Sequence, residues 1–235
     1  WITSVKQLLI NKKNKMHRGG TLDHFKAKTV AYKGSKRKLL NNILQLTQEV
    51  NATTVFDGFS GTGIVSAMLR SNGYEVHSND LNHSSYIYGK VFLEGFDMPV
   101  VSEHLEIMNG LEPHSGWLTE NYSGTVMRKV RAKEGLHIRT LGLLEQNAMK
   151  IDSARNYIEK LSGVSERNKN ALIFSVILGL DSVFNNSNDQ KSSLKEWSAK
   201  SLKIVTFKPP TLIEGKKGKQ FQGDIFSLSL EKDFD

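Results

Sequence analysis

Between residues 35 and 50 the apolar side chains Leu39, Leu40, Ile43, Leu44 and Leu46 recur at helical spacing. That predicts a helix with one buried face, with Ser35 as its N-cap. The period then changes. Thr53, Thr54, Val55 and Phe56 make a short β-branched and aromatic run, read as a strand, that ends in Asp57-Gly58-Phe59-Ser60-Gly61-Thr62-Gly63. An apolar helix through about Leu69, closed by Gly73, comes next, and residues 74–78 read as a second strand that reaches Asp80. Strand, glycine turn, helix and strand make one βαβ unit, whose crossover is expected to be right-handed.

The middle of the chain is more helical. Ile151, Ala154, Ile158 and Leu161 share a helix face, and residues 171–184, apolar nearly all round, predict a buried helix. Asn185-Asn186-Ser187-Asn188-Asp189 breaks that pattern. Residues 202–207 read as another strand, 209–220 as a basic loop, and 226–230 as a strand or short helix. Residues 11–30, rich in Lys, Asn, His and Gly without a sustained apolar period, read as a loosely packed arm.

With 235 residues the chain is long enough for one α/β domain carrying an insertion. It has no cysteine, so disulfides and thiolate zinc sites are excluded and a reducing cytoplasm is the expected compartment. No apolar run approaches the ~20 residues of a membrane span, and the opening residues do not read as a signal peptide. The net charge of +8 is unevenly placed: residues 1–38 hold eleven Lys and Arg against the single acid Asp23. Such an arm suits a phosphate backbone, as it also suits a solvated tail.

Chemistry concentrates at the glycine turn. Where a strand runs straight into Phe-Ser-Gly-Thr-Gly, the glycines let the backbone turn tightly and approach a ligand closely. The dinucleotide fingerprint G-x-G-x-x-G would need a third glycine where Ser66 stands, and no Gly-Lys-Ser/Thr follows to make a P-loop. Asp80 lies 23 residues after Asp57, at the end of the second predicted strand. A carboxylate there can accept both hydroxyls of an adenosine ribose. The seven histidines show no ligand spacing, so no catalytic metal is expected. Trp117 and Trp197 are read as packing residues.

Three motifs in order carry a resemblance: Tyr32-Lys33-Gly34-Ser35-Lys36, then Phe56-Asp57-Gly58-Phe59-Ser60-Gly61-Thr62-Gly63, then Ser78-Asn79-Asp80-Leu81-Asn82. The set resembles the D12-class DNA adenine-N6 methyltransferases, including the Dam and FokI types. Further along, Asn147-Ala148-Met149-Lys150-Ile151-Asp152 is similar to a family helix. Residues 193–210 are similar to a segment of FokI-type members, and Gly223-Asp224-Ile225 matches the family's Gly-Asp-Ile.

The resemblance implies an α/β, Rossmann-like sheet that binds S-adenosylmethionine, formed by residues 31–98 and 202–235. It also implies an inserted, mainly helical target-recognition region at 99–201; the basic arm 1–30, read from its composition, has no counterpart in the family. It assigns Tyr32, Gly34, Ser35 and Lys36 to the methionine end of the cofactor. Asp57, Phe59, Ser60, Gly61, Thr62 and Gly63 form its pocket, Asp80 holds the ribose, and Asp224 with Ile225 the adenine. The catalytic Asp-Pro-Pro-Tyr loop is expected just after Asp235, so no catalytic residue is assigned within the chain. Pro209-Pro210, preceded by Lys208 and followed by Thr211, is read as a turn and not as that loop.

The implied substrate is double-stranded DNA, with a separately acting restriction endonuclease as a further partner. Sequence readout falls to the basic cluster Arg128, Lys129, Arg131 and Lys133, or to the amides from Asn185 to Ser192. The competing readings are an RNA or protein methyltransferase, a non-catalytic DNA-binding subunit of the same fold, and a nicotinamide oxidoreductase.

Overall fold

The computed structural model describes residues 22, 25–31, 34–123, 128–132, 135–139, 142–186, 197–230 and 233–235. Ser35 opens the first element, its hydroxyl accepting from the Arg37 N–H. One 3₁₀ turn (Lys36–Leu39) leads into α1 (Leu40–Glu49), which buries Leu40 and Leu44. The strand β1 (Thr54–Asp57), the helix α2 (Ile64–Ser71) and the strand β2 (Glu75–Asp80) then form the expected βαβ unit. At the end of α2, Gly73 takes φ +89° and its N–H donates to Arg70 O. Left-handed backbone at a helix end suits glycine.

Next comes α3 (His83–Gly89), capped by the Asn82 side chain and continued as a π-helical stretch, Lys90–Glu94. In α4 (Met98–Gly110) the Asp97 carboxylate accepts from Val100 N–H and Pro99 occupies the first turn, where a missing N–H costs nothing. The short α5 (Trp117–Tyr122) precedes an antiparallel hairpin of β3 (Arg128–Ala132) and β4 (Gly135–Arg139). Two long helices follow, α6 (Glu145–Lys160) and α7 (Glu166–Val183), then β5 (Gln220–Gln222) and a 3₁₀ turn, Ile225–Ser227.

The main sheet of the described residues has the order β1-β2-β5 and is parallel throughout, with Asp57 opposite Ser78 and Asp80 opposite Gln222. Helices pack around this small parallel sheet, which makes the protein α/β. One hydrophobic core runs from Met68 and Val76 through Val91 and Phe92 to Phe174 in α7, whose ring meets Tyr88 at 4.6 Å and Phe92 at 5.4 Å. No helix among the described residues is long and apolar enough to cross a membrane.

Several expectations need correction. Residues 202–207 form no strand: after a turn at 201–203 they belong to an extended run in which Val205 and Phe207 face inward while Ile204, Thr206 and Lys208 face out. Its backbone pairs with side chains instead of a neighbouring strand. Val205 N–H donates to Asn147 Oδ1 at 2.9 Å, and Asn147 Nδ2 donates to Lys203 O at 2.8 Å. Asn109 treats Phe207 the same way, with both bonds at 2.9 Å.

Pro209 and Pro210 continue that run, so no turn forms there. The strand at Gln220–Gln222 lies partly in what reads as a basic loop; too short to show a period, it exists because β2 offers it a partner. In the end segment 226–230, read as a strand or short helix, the short-helix alternative holds at its start, in the 3₁₀ turn Ile225–Ser227. Helix α7 buries Phe174, Ser175 and Gly179, but Ile173, Val176, Ile177 and Leu180 line an open cavity. Trp117 is 58% exposed against Tyr122, so it is not a packing residue of the core.

Candidate functional site

At the carboxyl edge of the parallel sheet β1 ends in Asp57, β2 in Asp80 and β5 in Gln222. Strand ends of this kind leave a crevice where ligands of open α/β sheets bind. The loop from β1 to α2 bends back over β2: Ser60 N–H donates to Asn79 O at 3.0 Å, and Gly63 N–H to Ser60 O at 2.8 Å. Gly61 at φ +53° and Gly63 at φ +71° both lie in the left-handed region, which explains the two glycines.

Asp80 is held from both sides. Its Oδ2 accepts from Gly61 N–H at 2.8 Å and its Oδ1 from Asn82 N–H at 2.9 Å. A carboxylate has about four lone-pair sites, so each oxygen keeps capacity for one more donor. Asp57, partly buried beneath the turn, accepts from Ser66 Oγ at 2.8 Å. Burial raises its pKa above the usual carboxylate value, and the Ser66 hydroxyl and the Lys36 charge oppose that rise.

Asn79 joins the third strand to the turn. Its Nδ2 donates to Gly223 O at 3.0 Å, and it also reaches Gly58 O at 3.4 Å. Gly223 N–H in turn donates to Asp80 O. Ile225 therefore packs on the turn: a Cβ at Gly58 would stand 3.3 Å from Ile225 Cδ1. Asp224 caps the 3₁₀ turn by accepting from Phe226 N–H at 3.1 Å. On the other flank Lys36 donates from Nζ to Phe59 O at 3.0 Å, tying the element that starts with Gly34 and Ser35 to the same loop.

The structure thus brings Gly34, Ser35, Lys36, Asp57, Phe59, Ser60, Gly61, Thr62, Gly63, Asp80, Asp224 and Ile225 to one sheet edge. Two buried polar atoms there, Ser60 Oγ and Asn79 Oδ1, have no hydrogen-bond partner. Such groups are rare in folded proteins and mark places where a partner belongs. Three apolar side chains also stand in solvent at this edge: Phe59 at 68%, Leu81 at 73% and Phe226 at 94% exposed. Leu81 and Phe226 are missed by the sequence reading; each directly follows a site residue, the one signal they carry.

Other positions are not brought together here. Tyr32 lies outside the described residues, and so do Lys133 and residues 187–192. Arg128, Lys129 and Arg131 lie on strand β3, in a hairpin and not on a helix. A cavity of about 900 Å³ opens elsewhere, between α3, α5, α6 and α7, with His83, Trp117 and Arg155 on its wall. At the amino end of β1, the Asp235 carboxylate accepts from the N–H and hydroxyl groups of both Thr53 and Thr54, which holds its pKa far below the usual range.

Residues 32–234 match the family described as D12 class N6 adenine-specific DNA methyltransferase. Among curated proteins, Modification methylase LlaI of Lactococcus lactis subsp. lactis is 28% identical over 191 residues, covering 76% of this chain and 29% of its own. Type II methyltransferase M.NlaIII of Neisseria lactamica is 26% identical over 210 residues, covering 84% and 59%. Type II methyltransferase M.CviAII of Paramecium bursaria Chlorella virus 1 is 30% identical over 191 residues, covering 77% and 54%. The chain therefore spans between about three tenths and three fifths of the length of these relatives. No solved structure gives a significant match. The match to the family covers most of the chain and includes every strand of the parallel sheet, and the chain accordingly belongs to the D12 class N6 adenine-specific DNA methyltransferases.

Proposed function

We propose that this protein transfers a methyl group from S-adenosylmethionine to the N6 amine of adenine at a specific site in double-stranded DNA, as the modification partner of a separately acting restriction endonuclease in the cytoplasm. The observation that carries the reading is the convergence of Asp80, the Gly61 amide and the Gly223-Asp224-Ile225 segment at one strand edge. Family membership supports the methyl donor and the DNA substrate. Three parallel strands with ligand-facing carboxyl ends suit a Rossmann-like sheet.

The residues present fit the cofactor. Asp80, with lone pairs to spare, takes the ribose hydroxyls. Ile225 and the exposed Leu81 and Phe226 offer apolar surface to a purine, and Asp224 accepts from its amine. Asp57, Phe59, Ser60, Gly61, Thr62 and Gly63 shape the pocket floor, where the unpartnered Ser60 Oγ receives a hydrogen-bond partner. Tyr32, Gly34, Ser35 and Lys36 serve the methionine end. When bound, the cofactor supplies an electrophilic sulfonium methyl. The chain's own part is then placement and electrostatics.

The adenine amine, its lone pair delocalised into the ring, needs acceptors for its hydrogens. In this reading the Asp-Pro-Pro-Tyr loop that follows Asp235 supplies them and stacks on a flipped base. Residues 31–98 with 202–235 form the cofactor-binding part, 99–201 the target-recognition part, and 1–30 a basic arm. Within the recognition part, Arg128, Lys129 and Arg131 on the β3–β4 hairpin, together with Lys133, are the candidate base readers.

Two measurements test the proposal. Calorimetry on the folded chain should detect binding of adenosylmethionine and adenosylhomocysteine. Single-molecule methylome sequencing after expression of the encoding gene should find N6-methyladenine in one sequence context. Cofactor binding without modified adenine would favour a non-catalytic DNA-binding subunit instead.

A further inference from the structure

A cationic groove lies beside the C-terminal half of α7. Residues 25–31 run beside the C-terminal turns of α7, pinned there by Ala31 N–H donating to the Asp181 carboxylate at 3.1 Å. They are tied forward to the cofactor-side element by Arg37, whose Nη2 donates to Ala27 O at 2.8 Å. On the same flank the extended run 204–208, clamped from beneath by Asn147 and Asn109, turns Thr206 and Lys208 outward.

Between the two runs is a groove of about 420 Å³, with Lys28, Lys203 and Lys208 on its walls and hydroxyls of Thr29, Ser182 and Thr206 along it. All three lysines are exposed, and none has a carboxylate partner among the described residues. The groove's lone acid is Asp181, whose carboxylate already receives the Ala31 amide. Three like charges held on rigid backbone against a single acid leave the groove net positive, and such a surface attracts a polyanion.

Resting on the methyltransferase reading, we propose that this groove binds the phosphate backbone of the DNA duplex, outside the bases that the protein reads. Lys28, Lys203 and Lys208 neutralise phosphates, and the hydroxyls donate to the same oxygens. These interactions carry no sequence information; they set register and affinity. The clamps fix the groove's walls before DNA arrives, so little ordering is left for binding.

The test is the salt dependence of duplex binding, followed by fluorescence anisotropy with a mixed-sequence duplex and the full chain. Combined substitution of Lys28→Gln, Lys203→Gln and Lys208→Gln should flatten the slope of log affinity against log salt by about 0.9 for each phosphate left without its lysine. It should weaken binding equally for any duplex sequence while leaving calorimetric affinity for adenosylmethionine intact. The control replaces Lys160, Lys216 and Lys217 by Gln, exposed residues that do not line the groove.

An unchanged slope, or equal flattening in the control, overturns the proposal. If the triple variant does not fold, Lys208→Gln alone carries the test with a change of about 0.9. Absence of duplex binding by the unsubstituted chain also overturns it. The adenosylmethionine titration then decides separately whether the cofactor-binding part of the functional reading stands.

Discussion

Asp80 and Gly61, 19 residues apart in the chain, meet in a 2.8 Å hydrogen bond in which the turn's own amide donates to the carboxylate at the end of β2. The acid thus shapes the loop as well as facing the crevice. Asp80→Asn keeps the shape but offers one acceptor oxygen where two are in use, with Asn82 N–H claiming the other. Hydrogen bonds to charged groups contribute roughly 1.5–3 kcal/mol each. Adenosylmethionine affinity should therefore fall by about 10- to 100-fold, measured by calorimetry, with the folded state retained.

Gly61 and Gly63 should respond differently to alanine. Both have positive φ, so either substitution costs about 1–2 kcal/mol of backbone strain. A Cβ at Gly61 meets no atom within 4 Å, whereas one at Gly63 stands 3.0 Å from the ring of the fully buried Phe92. Urea unfolding should show Gly63→Ala to be less stable than Gly61→Ala by about 1–2 kcal/mol, the range for overpacking. Gly61→Ala, whose new methyl projects into open space at the site, should lose cofactor affinity more than stability.

The Asn147 amide replaces a missing strand. Fully buried, it satisfies both Val205 N–H and Lys203 O. Asn147→Ala would leave the buried Val205 N–H unpaired and the part-buried Lys203 O without its donor, at roughly 1–3 kcal/mol apiece. A loss of about 2–4 kcal/mol in chemical denaturation is expected. Asn147→Asp should destabilise as well, since an acceptor-only carboxylate cannot donate to Lys203 O.

Asp57 predicts the pH dependence. Burial raises its folded pKa above the unfolded value of 3.8, so between those two values the folded state holds more protons than the unfolded one. Stability linked to this group is therefore full below pH 3.8 and declines as pH rises through the raised folded value. Asp57→Asn removes that decline. Thermal melts of the two proteins across the acidic range should diverge with rising pH, the variant gaining relative to the parent. Parallel curves would show that burial does not govern the carboxyl.

The βαβ unit and its site were legible in the sequence because they are local. Thr53 to Phe56, the glycine turn and the helix after it are each specified by residues a few positions apart, and the capping serine and Gly73 stand where their backbone geometry needs them. The residues gathered at the sheet edge could be grouped for the same reason: turn, strand end and acid follow one another along the chain. Leu81 and Phe226 escaped notice because an apolar residue in sequence looks the same whether it faces the core or the solvent.

What lay beyond the sequence is non-local. Residues 202–207 have strand composition, yet whether extended chain becomes a strand depends on a free neighbouring edge, and here the neighbours are the side chains of Asn147 and Asn109. The three-residue β5 has too little composition to read, and β2 makes it a strand. The open cavity beside α7 likewise depends on how helices far apart in the chain are set against each other. The sequence by itself determined the local geometry of the turn and the identity of the groups that line it, because short-range sterics and hydrogen bonding suffice there. Tertiary structure alone decided which distant segments those groups meet, because an unpaired backbone N–H or an exposed apolar face is satisfied by whatever surface the rest of the fold brings to it.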